Sequence, residues 1–163
     1  NTGKELGTEV HALFEKVEWW DEKTNLSNWL EQKGTGTSKQ AMDIFSRAMA
    51  DPEVMKIFSL PAQKSEVWME RSFAYQKEGK MVQGIFDRVV LSLSESDEII
   101  AAEIIDFKTD RPGKEAGLDQ LVDSYRGQLE SYRSALVRLT GLPENKISMT
   151  LLFTSIPQLF SWD

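Results

Sequence analysis

One short run, Ile104–Thr109, restricts the possible folds more than any other part of the sequence. It is an apolar, strand-type sequence that carries an acid and a lysine. Successive side chains of a strand point to opposite faces, so Asp106 and Lys108 share one face. Ile105 and Phe107 share the other. Placing a carboxylate and an ammonium together at the end of an apolar strand costs desolvation free energy. A metal ion with a phosphate ligand would offset this cost.

The surrounding pattern predicts helices first and strands afterwards, with one long amphipathic helix between strands. A helix that crosses over between strands favours a mixed sheet, so the order predicts an α/β fold with helices flanking the sheet. The three early helices are predicted to follow the N-cap residues Thr8, Ser38 and Asp51, and the long helix covers 118–139. The predicted strands are 66–76, 81–93, 98–108, 147–154 and 158–162, with a hairpin turn at 77–80.

The composition excludes several classes of site. The chain of 163 residues has no cysteine, which excludes disulfides, zinc–thiolate sites and iron–sulfur clusters, and it is compatible with a reducing cytoplasm. Nucleotide-binding glycine loops, the His-Glu-x-x-His zinc motif and the Gly-x-Ser-x-Gly elbow do not occur in the sequence. No apolar run is long enough for a membrane span, and no leader of the secretory type is evident. We therefore expect one domain without a membrane segment.

The net charge argues against unaided binding of nucleic acid. The sequence contains 26 acidic residues and 19 lysines and arginines, which gives a net charge of −7. Proteins that bind DNA without the help of another protein usually present a basic surface. Three explanations stay open: nucleic acid is not the ligand, another domain or polypeptide carries most of the binding surface, or bound metal offsets part of the charge.

Asp87 is the second unexpected residue in a predicted strand. It interrupts the row formed by Ile85, Val89 and Leu91, although aspartate is depleted in strand interiors. One hypothesis makes it a strand-end acid paired with a neighbouring Arg or Lys (Arg88 or Lys108). The other pairs it with Asp106. Two converging carboxylates repel each other unless a cation lies between them, and hard cations such as Mg²⁺ are bound in this way.

Four further residues have two interpretations each. His11, the one histidine, is either an ordinary helix residue or a metal ligand; with Thr8 as N-cap it would lie in the first turn, where the helix disfavours the charged imidazole. Gln128 and Tyr132 share a helix face and either pack in the core or hold a phosphate or base. Glu70 is either a site acid or an exposed one.

Five short motifs occur in a fixed order along nearly the whole chain. They are Gly7-Thr8-Glu9-Val10-His11, Glu70, Gln83-Gly84-Ile85-Phe86-Asp87, Ile105-Asp106-Phe107-Lys108-Thr109-Asp110 and Gln128-Leu129-x-x-Tyr132. This ordered set resembles the RecB-type nuclease domain of the PD-(D/E)xK superfamily, found at the C-terminus of AddA- and RecB-like helicase–nucleases. The resemblance implies a restriction-endonuclease-like fold, with a mixed central sheet flanked by helices. Residues 1–163 would then be one nuclease domain, the C-terminal part of a larger helicase–nuclease.

The resemblance also implies the site and the cofactor. It implies a deoxyribonuclease that depends on Mg²⁺ or Mn²⁺ and hydrolyses phosphodiester bonds as an exonuclease. It implies that the metal ligands are His11, Asp87, Asp106 and the backbone carbonyl of Phe107. It implies that Lys108 orients or activates the attacking water. It places Gln128 and Tyr132 beside the substrate phosphate, with Glu70 as a further substrate-binding residue.

The biological context follows from the same resemblance. We expect a cytoplasmic bacterial protein that acts in double-strand break processing and recombinational repair. Its expected partners are single-stranded DNA ends, a helicase motor in the same full-length chain and a second helicase–nuclease subunit. Relatives with an iron–sulfur cluster carry four cysteines, so this chain resembles the type without a cluster. The acidic charge motivates one alternative, an inactive nuclease-fold module that guides DNA or docks another protein of the assembly.

Overall fold

A computed structural model describes residues 3–111 and 117–163 of the chain. Within these ranges the strands form one five-stranded mixed sheet in the order β1-β2-β3-β4-β5, and the fold is α/β as predicted. The helices are α1 (Gly3–Glu15), α2 (Leu26–Lys33), α3 (Lys39–Met49), α4 (Pro52–Ile57) and α5 (Gly117–Thr140), with a 3₁₀ turn at Glu144–Lys146. The strands are β1 (Ser65–Lys77), β2 (Lys80–Leu93), β3 (Ile99–Lys108), β4 (Ile147–Phe153) and β5 (Gln158–Trp162).

The chain divides into two compact units. The first contains the residues up to Leu60, together with Phe107–Arg111 and Leu152–Leu159. The second contains Pro61–Asp106, the described residues that follow up to Leu151, and Phe160–Asp163. In the described part of the chain, no helix combines the length and the apolar character that a membrane span requires.

Aromatic rings form the core of the first unit. Phe14 of α1 is fully buried, and its ring lies 4.8 Å from that of Phe45, 5.7 Å from that of Phe58 and 5.6 Å from that of Phe107. Aromatic pairs at these separations add attraction beyond the burial of apolar area. The cluster therefore joins α1, α3 and the residue after α4 to the segment that follows Asp106.

The start of α1 differs from the prediction. The helix begins at Gly3, so Thr8 is not its N-cap and His11 lies well inside the helix instead of in the first turn. The Thr8 hydroxyl donates a hydrogen bond to the Lys4 carbonyl oxygen at 3.0 Å, which lets a threonine sit within a helix. The preceding Lys4, Glu5 and Leu6 are good helix formers and extend α1 toward the N-terminus.

Helix α2 lies in a stretch whose sequence predicted only a polar connection. Its N-cap is Asn25, whose side-chain oxygen accepts a hydrogen bond from the Asn28 amide at 2.9 Å. Trp29 stacks on Phe45 with ring centroids 5.0 Å apart and planes 9° from parallel. No residue of α2 is fully buried, and its short apolar stripe of Leu26, Trp29 and Leu30 is only partly withdrawn from solvent.

The two other predicted caps are confirmed. The Ser38 hydroxyl accepts from the Ala41 amide at the start of α3, and an Asp51 carboxylate oxygen accepts from the Glu53 amide at the start of α4. Pro52 is the first residue of α4, where a missing amide hydrogen costs nothing.

The second unit carries most of the sheet. Strands β1 and β2 are antiparallel, and their hairpin turn places Glu78 and Gly79 at positive φ, 52° and 76°, as a two-residue primed turn requires. Strand β3 is antiparallel to β2, and α5 then connects β3 to β4. The predicted hairpin, the three consecutive strands and the crossover helix are all confirmed.

Helix α5 packs on β1 and β2 through aromatic contacts. The ring of Tyr132 meets those of Phe73 and Phe86 edge-on, with both centroid distances at 5.7 Å. Gly84 lies directly beneath this contact. A methyl group there would come within 2.8 Å of the Phe73 ring and 3.3 Å of the Tyr132 ring. The glycine is therefore required by the close approach of the aromatic rings.

A chain of polar side chains crosses the second unit. Burial raises the pKa of Glu103 on β3, and the hydrogen bond from Thr150 and then the charge of Arg88 lower it in part. Arg88, on the neighbouring strand, is 1% exposed. The Thr150 hydroxyl donates to Glu103 at 2.9 Å and lies 2.8 Å from the Ser161 hydroxyl. These four residues connect β2, β3, β4 and β5.

Replacing Gly84 with alanine should destabilise the second unit by about 1–3 kcal/mol, because the added methyl group overpacks the contact among aromatic rings. The matched control is Gly127→Ala on α5, where a methyl group meets nothing within 4 Å. That change should be neutral or stabilise the helix by up to about 1 kcal/mol. Urea denaturation measures both variants. Equal free energies of unfolding for the two variants would contradict the packing described here.

Candidate functional site

The register between β2 and β3 brings the two strand carboxylates together. Val89 pairs with Ile104 and Arg88 pairs with Ile105. Continuing this antiparallel register by one residue places Asp87 opposite Asp106. Directly opposite residues on a strand pair have Cβ atoms about 4.5–5.5 Å apart. Asp106 is 3% exposed, so one member of the pair lies almost entirely out of solvent.

Glu70 occupies the same row on the next strand. Met69 pairs with Arg88 and Arg71 pairs with Phe86, so the register places Glu70 at the level of Asp87. Its φ of 48° is in the left-handed region, which a residue with a side chain adopts only under constraint, and the recorded pairing is interrupted there. The side chain is exposed. The register therefore fixes the level of the Glu70 backbone along the sheet, and the side chain at this position is open to solvent.

The charges of both aspartates affect the pKa of Tyr132. The pKa of its phenol is raised, first by burial and then by the negative charges of Asp106 and Asp87. A hydrogen bond from the Gln128 amide to the phenol oxygen, at 3.2 Å, lowers the pKa in part. The predicted shared face of Gln128 and Tyr132 is thus confirmed. Tyr132 fits both interpretations offered for it, because its ring packs in the core while its hydroxyl joins a polar cluster.

His11 lies in the first unit, on α1. Its Nδ1 atom is 2.7 Å from Oε1 of Glu15, one helical turn further along. Its ring also meets the ring of Phe107 edge-on, with centroids 5.7 Å apart. The histidine therefore contacts the residue whose backbone carbonyl was predicted as a metal ligand. Glu15 was not singled out in the sequence, although its spacing of four residues from His11 signals a helix pair.

The segment after Phe107 is fixed by hydrogen bonds within the first unit. The Lys108 carbonyl oxygen accepts from the Thr154 amide at 2.9 Å, and the Thr109 carbonyl oxygen accepts from the Ser155 hydroxyl at 2.8 Å. Gly7 of α1 approaches Thr109 so closely that a methyl group at Gly7 would lie 2.9 Å from the threonine hydroxyl oxygen. Gly7, a residue of the first motif, thus has a packing reason for its identity.

The predicted site residues fall in both units. In the first unit, the rings of His11 and Phe107 are in contact. In the second unit, the charges of Asp87 and Asp106 act on Tyr132, which accepts a hydrogen bond from Gln128. His11, Phe107 and Lys108 belong to the first unit, and Glu70, Asp87, Asp106, Gln128 and Tyr132 belong to the second.

The chain is similar to bacterial proteins that are named as subunits of an ATP-dependent helicase/nuclease. One from Streptococcus pneumoniae is 28% identical over 159 residues, which is 93% of this chain. One from Limosilactobacillus fermentum is 39% identical over 77 residues, or 45% of this chain. The exonuclease/helicase subunit RexA of another Streptococcus pneumoniae strain is 28% identical over 159 residues. No family model matches the sequence.

The relatives are much longer than this chain. The chain spans 12% of the two Streptococcus pneumoniae proteins and 5% of the Limosilactobacillus fermentum protein. The similarity to the Streptococcus pneumoniae proteins covers nearly the whole of this chain, and in every case it involves one small part of the longer protein.

Removing the charge of Asp106 should lower the pKa of Tyr132, because that charge disfavours the phenolate. With the folded pKa raised, any stability that Tyr132 contributes is present below its unfolded pKa, near 10, and is lost as the pH rises toward the folded pKa. Titration of tyrosinate absorbance in the wild type and in Asp106→Asn measures the shift, with Tyr132→Phe in each background to isolate this residue.

The matched control for this titration is Asp119→Asn, which removes an exposed acid at the start of α5. It should leave the pKa of Tyr132 unchanged. A pKa of Tyr132 that is the same in the wild type and in Asp106→Asn would refute the proximity described here.

Proposed function

We propose that this chain is a metal-dependent DNA nuclease domain of a helicase–nuclease. The observation that supports the proposal is the β2–β3 register, which pairs Arg88 with Ile105 and, continued by one residue, would set Asp87 opposite the buried Asp106. The similarity to ATP-dependent helicase/nuclease proteins supports the same function. The proposed domain belongs to the RecB-type group of the PD-(D/E)xK superfamily.

The proposed ligands suit a divalent cation that prefers oxygen donors. Asp87, Asp106, His11 and the backbone carbonyl of Phe107 are the proposed ligands of Mg²⁺ or Mn²⁺. Carboxylate and carbonyl oxygens are the donors that these ions favour, and a neutral imidazole is tolerated by Mn²⁺. A cation between two neighbouring carboxylates would stabilise both of them in the charged form. When bound, such an ion lowers the pKa of coordinated water and neutralises charge on phosphoryl oxygens.

The remaining site residues act on the water and on the phosphate. In the proposed hydrolysis a water oxygen attacks phosphorus, the bond to the leaving sugar oxygen breaks, and the products carry a phosphate and a hydroxyl end. Lys108 orients the attacking water and places a positive charge where negative charge develops. Gln128 and Tyr132 supply hydrogen-bond donors for the phosphate oxygens, and Glu70 borders the substrate.

The rest of the activity belongs to a longer protein. Since the chain corresponds to at most 12% of the Streptococcus pneumoniae and Limosilactobacillus fermentum proteins, we propose that a helicase motor in the same polypeptide delivers single-stranded DNA ends to this domain. A second helicase–nuclease subunit would complete the assembly. The proposed setting is the bacterial cytoplasm, in double-strand break processing and recombinational repair.

Asp106→Ala and Lys108→Ala should each lower the rate of degradation of labelled single-stranded DNA by at least about 100-fold, because each removes stabilisation of the charged transition state. The assay uses Mg²⁺ or Mn²⁺, and chelation of the metal should abolish cutting by the wild type. Asp119→Ala and Lys77→Ala are the matched controls, since both remove exposed charges away from the proposed site. Equal rates for all five proteins would refute the assignment.

Isothermal titration with Mn²⁺ distinguishes the nuclease from the inactive docking module. The nuclease hypothesis expects wild-type binding that Asp106→Ala weakens. The docking hypothesis, which the net charge of −7 favours, expects no metal binding with or without DNA.

Cutting by this chain alone should be weak and sensitive to salt. Because the chain is acidic, few lysines and arginines are available for phosphates, and no motor feeds the strand into the site. Two phosphate contacts to single-stranded DNA would lower affinity by about fivefold to tenfold between about 50 and 200 mM salt. Rates measured under subsaturating DNA at both salt concentrations test this. Vigorous degradation at the higher concentration would contradict it.

A further inference from the structure

We propose that Glu15 is a positioning residue that holds His11 in the tautomer able to bind a divalent cation. The inference deepens the proposed function and rests on it. It assigns to Glu15 a role that none of the five sequence motifs contains.

The geometry of the pair carries the proposal. Oε1 of Glu15 lies 2.7 Å from Nδ1 of His11, a short hydrogen-bond distance for a ring nitrogen and a carboxylate. The side chains are 29% and 19% exposed, so the contact is largely withdrawn from solvent. Both residues belong to α1, and their spacing of one turn is set by the backbone of the helix.

The contact determines which ring nitrogen can bind a metal. A neutral imidazole has one N–H donor and one nitrogen with a free lone pair. When Nδ1 donates its hydrogen to Glu15, Nε2 of His11 keeps the lone pair that a metal needs. Carboxylates commonly hold metal-binding histidines in this manner, and they fix the tautomer as well as the direction of the ring.

A second contact restrains the same ring. The edge-on packing against Phe107, with centroids 5.7 Å apart, limits rotation of the His11 ring. Glu15 therefore contacts Nδ1 of the imidazole while the Phe107 ring packs against the same imidazole. The arrangement prepares Nε2 of His11 before any ion arrives, which reduces the ordering cost of binding.

The tautomer is measured directly because the chain contains one histidine. Nitrogen chemical shifts of His11 in a long-range ¹⁵N–¹H spectrum, recorded without metal at alkaline pH, distinguish Nδ1–H from Nε2–H. We expect Nδ1–H in the wild type and in Glu15→Gln, whose amide oxygen also accepts a hydrogen bond. In Glu15→Ala the Nε2–H form should gain population. A wild-type ring protonated at Nε2 would overturn the proposal.

Affinity for Mn²⁺, measured by isothermal titration, tests the consequence for binding. Glu15→Ala should weaken binding by about 10- to 100-fold, as for other partners of metal-bound histidines. Glu15→Gln should keep most of the affinity. Glu5→Ala is the matched control, because it removes an exposed acid from the same helix, and it should bind as the wild type does.

The outcomes distinguish the role of Glu15 from the existence of the metal site. Equal weakening in Glu15→Gln and Glu15→Ala would make Glu15 a metal ligand instead of a positioning residue and would overturn the proposal. Unchanged affinity in Glu15→Ala would overturn it as well. Absence of Mn²⁺ binding by the wild type would refute the metal site of the proposed function, and with it this role, while the nitrogen spectrum would still report whether the pair forms.

Discussion

The antiparallel register of β2 and β3 is the constraint on which the candidate site depends. A slip of one residue would turn either Asp87 or Asp106 to the opposite face of the sheet, because side chains alternate along a strand. The pair exists only while Val89 stays opposite Ile104. The irregularity in this strand pair lies at Ser92 and Leu93, and the pairs from Leu91 to Arg88, which lead toward the acids, are regular.

The sequence predicted the strands better than the early helices for a physical reason. Alternation over 66–76 and 81–93 is a local signal, and the turn at Glu78 and Gly79 determines the hairpin. Helix α2 is held by the ring of Trp29 on Phe45, a contact between residues far apart in sequence. The apolar residues Leu26, Trp29 and Leu30 give only a short periodic signal within an otherwise polar stretch. The predicted start of α1 is wrong because Thr8 bonds to the Lys4 carbonyl within the helix instead of capping it.

The residues of the candidate site stand out in the sequence one by one, but their arrangement in space does not. An acid in an apolar strand, such as Asp87 or Asp106, is conspicuous because its burial is costly. The register that sets the two acids opposite each other depends on cross-strand packing, which a single sequence does not encode in readable form. The sequence gives no specific signal for Glu15, because a polar residue one turn from a histidine resembles any solvent-exposed pair on a helix.

The polar chain from Arg88 through Glu103 and Thr150 to Ser161 has a consequence for motion. Each member offsets part of the desolvation of the next, so detaching one strand would leave a buried charge without its neighbours. Strands β2 to β5 should accordingly open together as one cooperative block in hydrogen exchange, with little independent fraying. A site seated on such a block keeps its acids at constant spacing through the local fluctuations that loosen loops and helix ends.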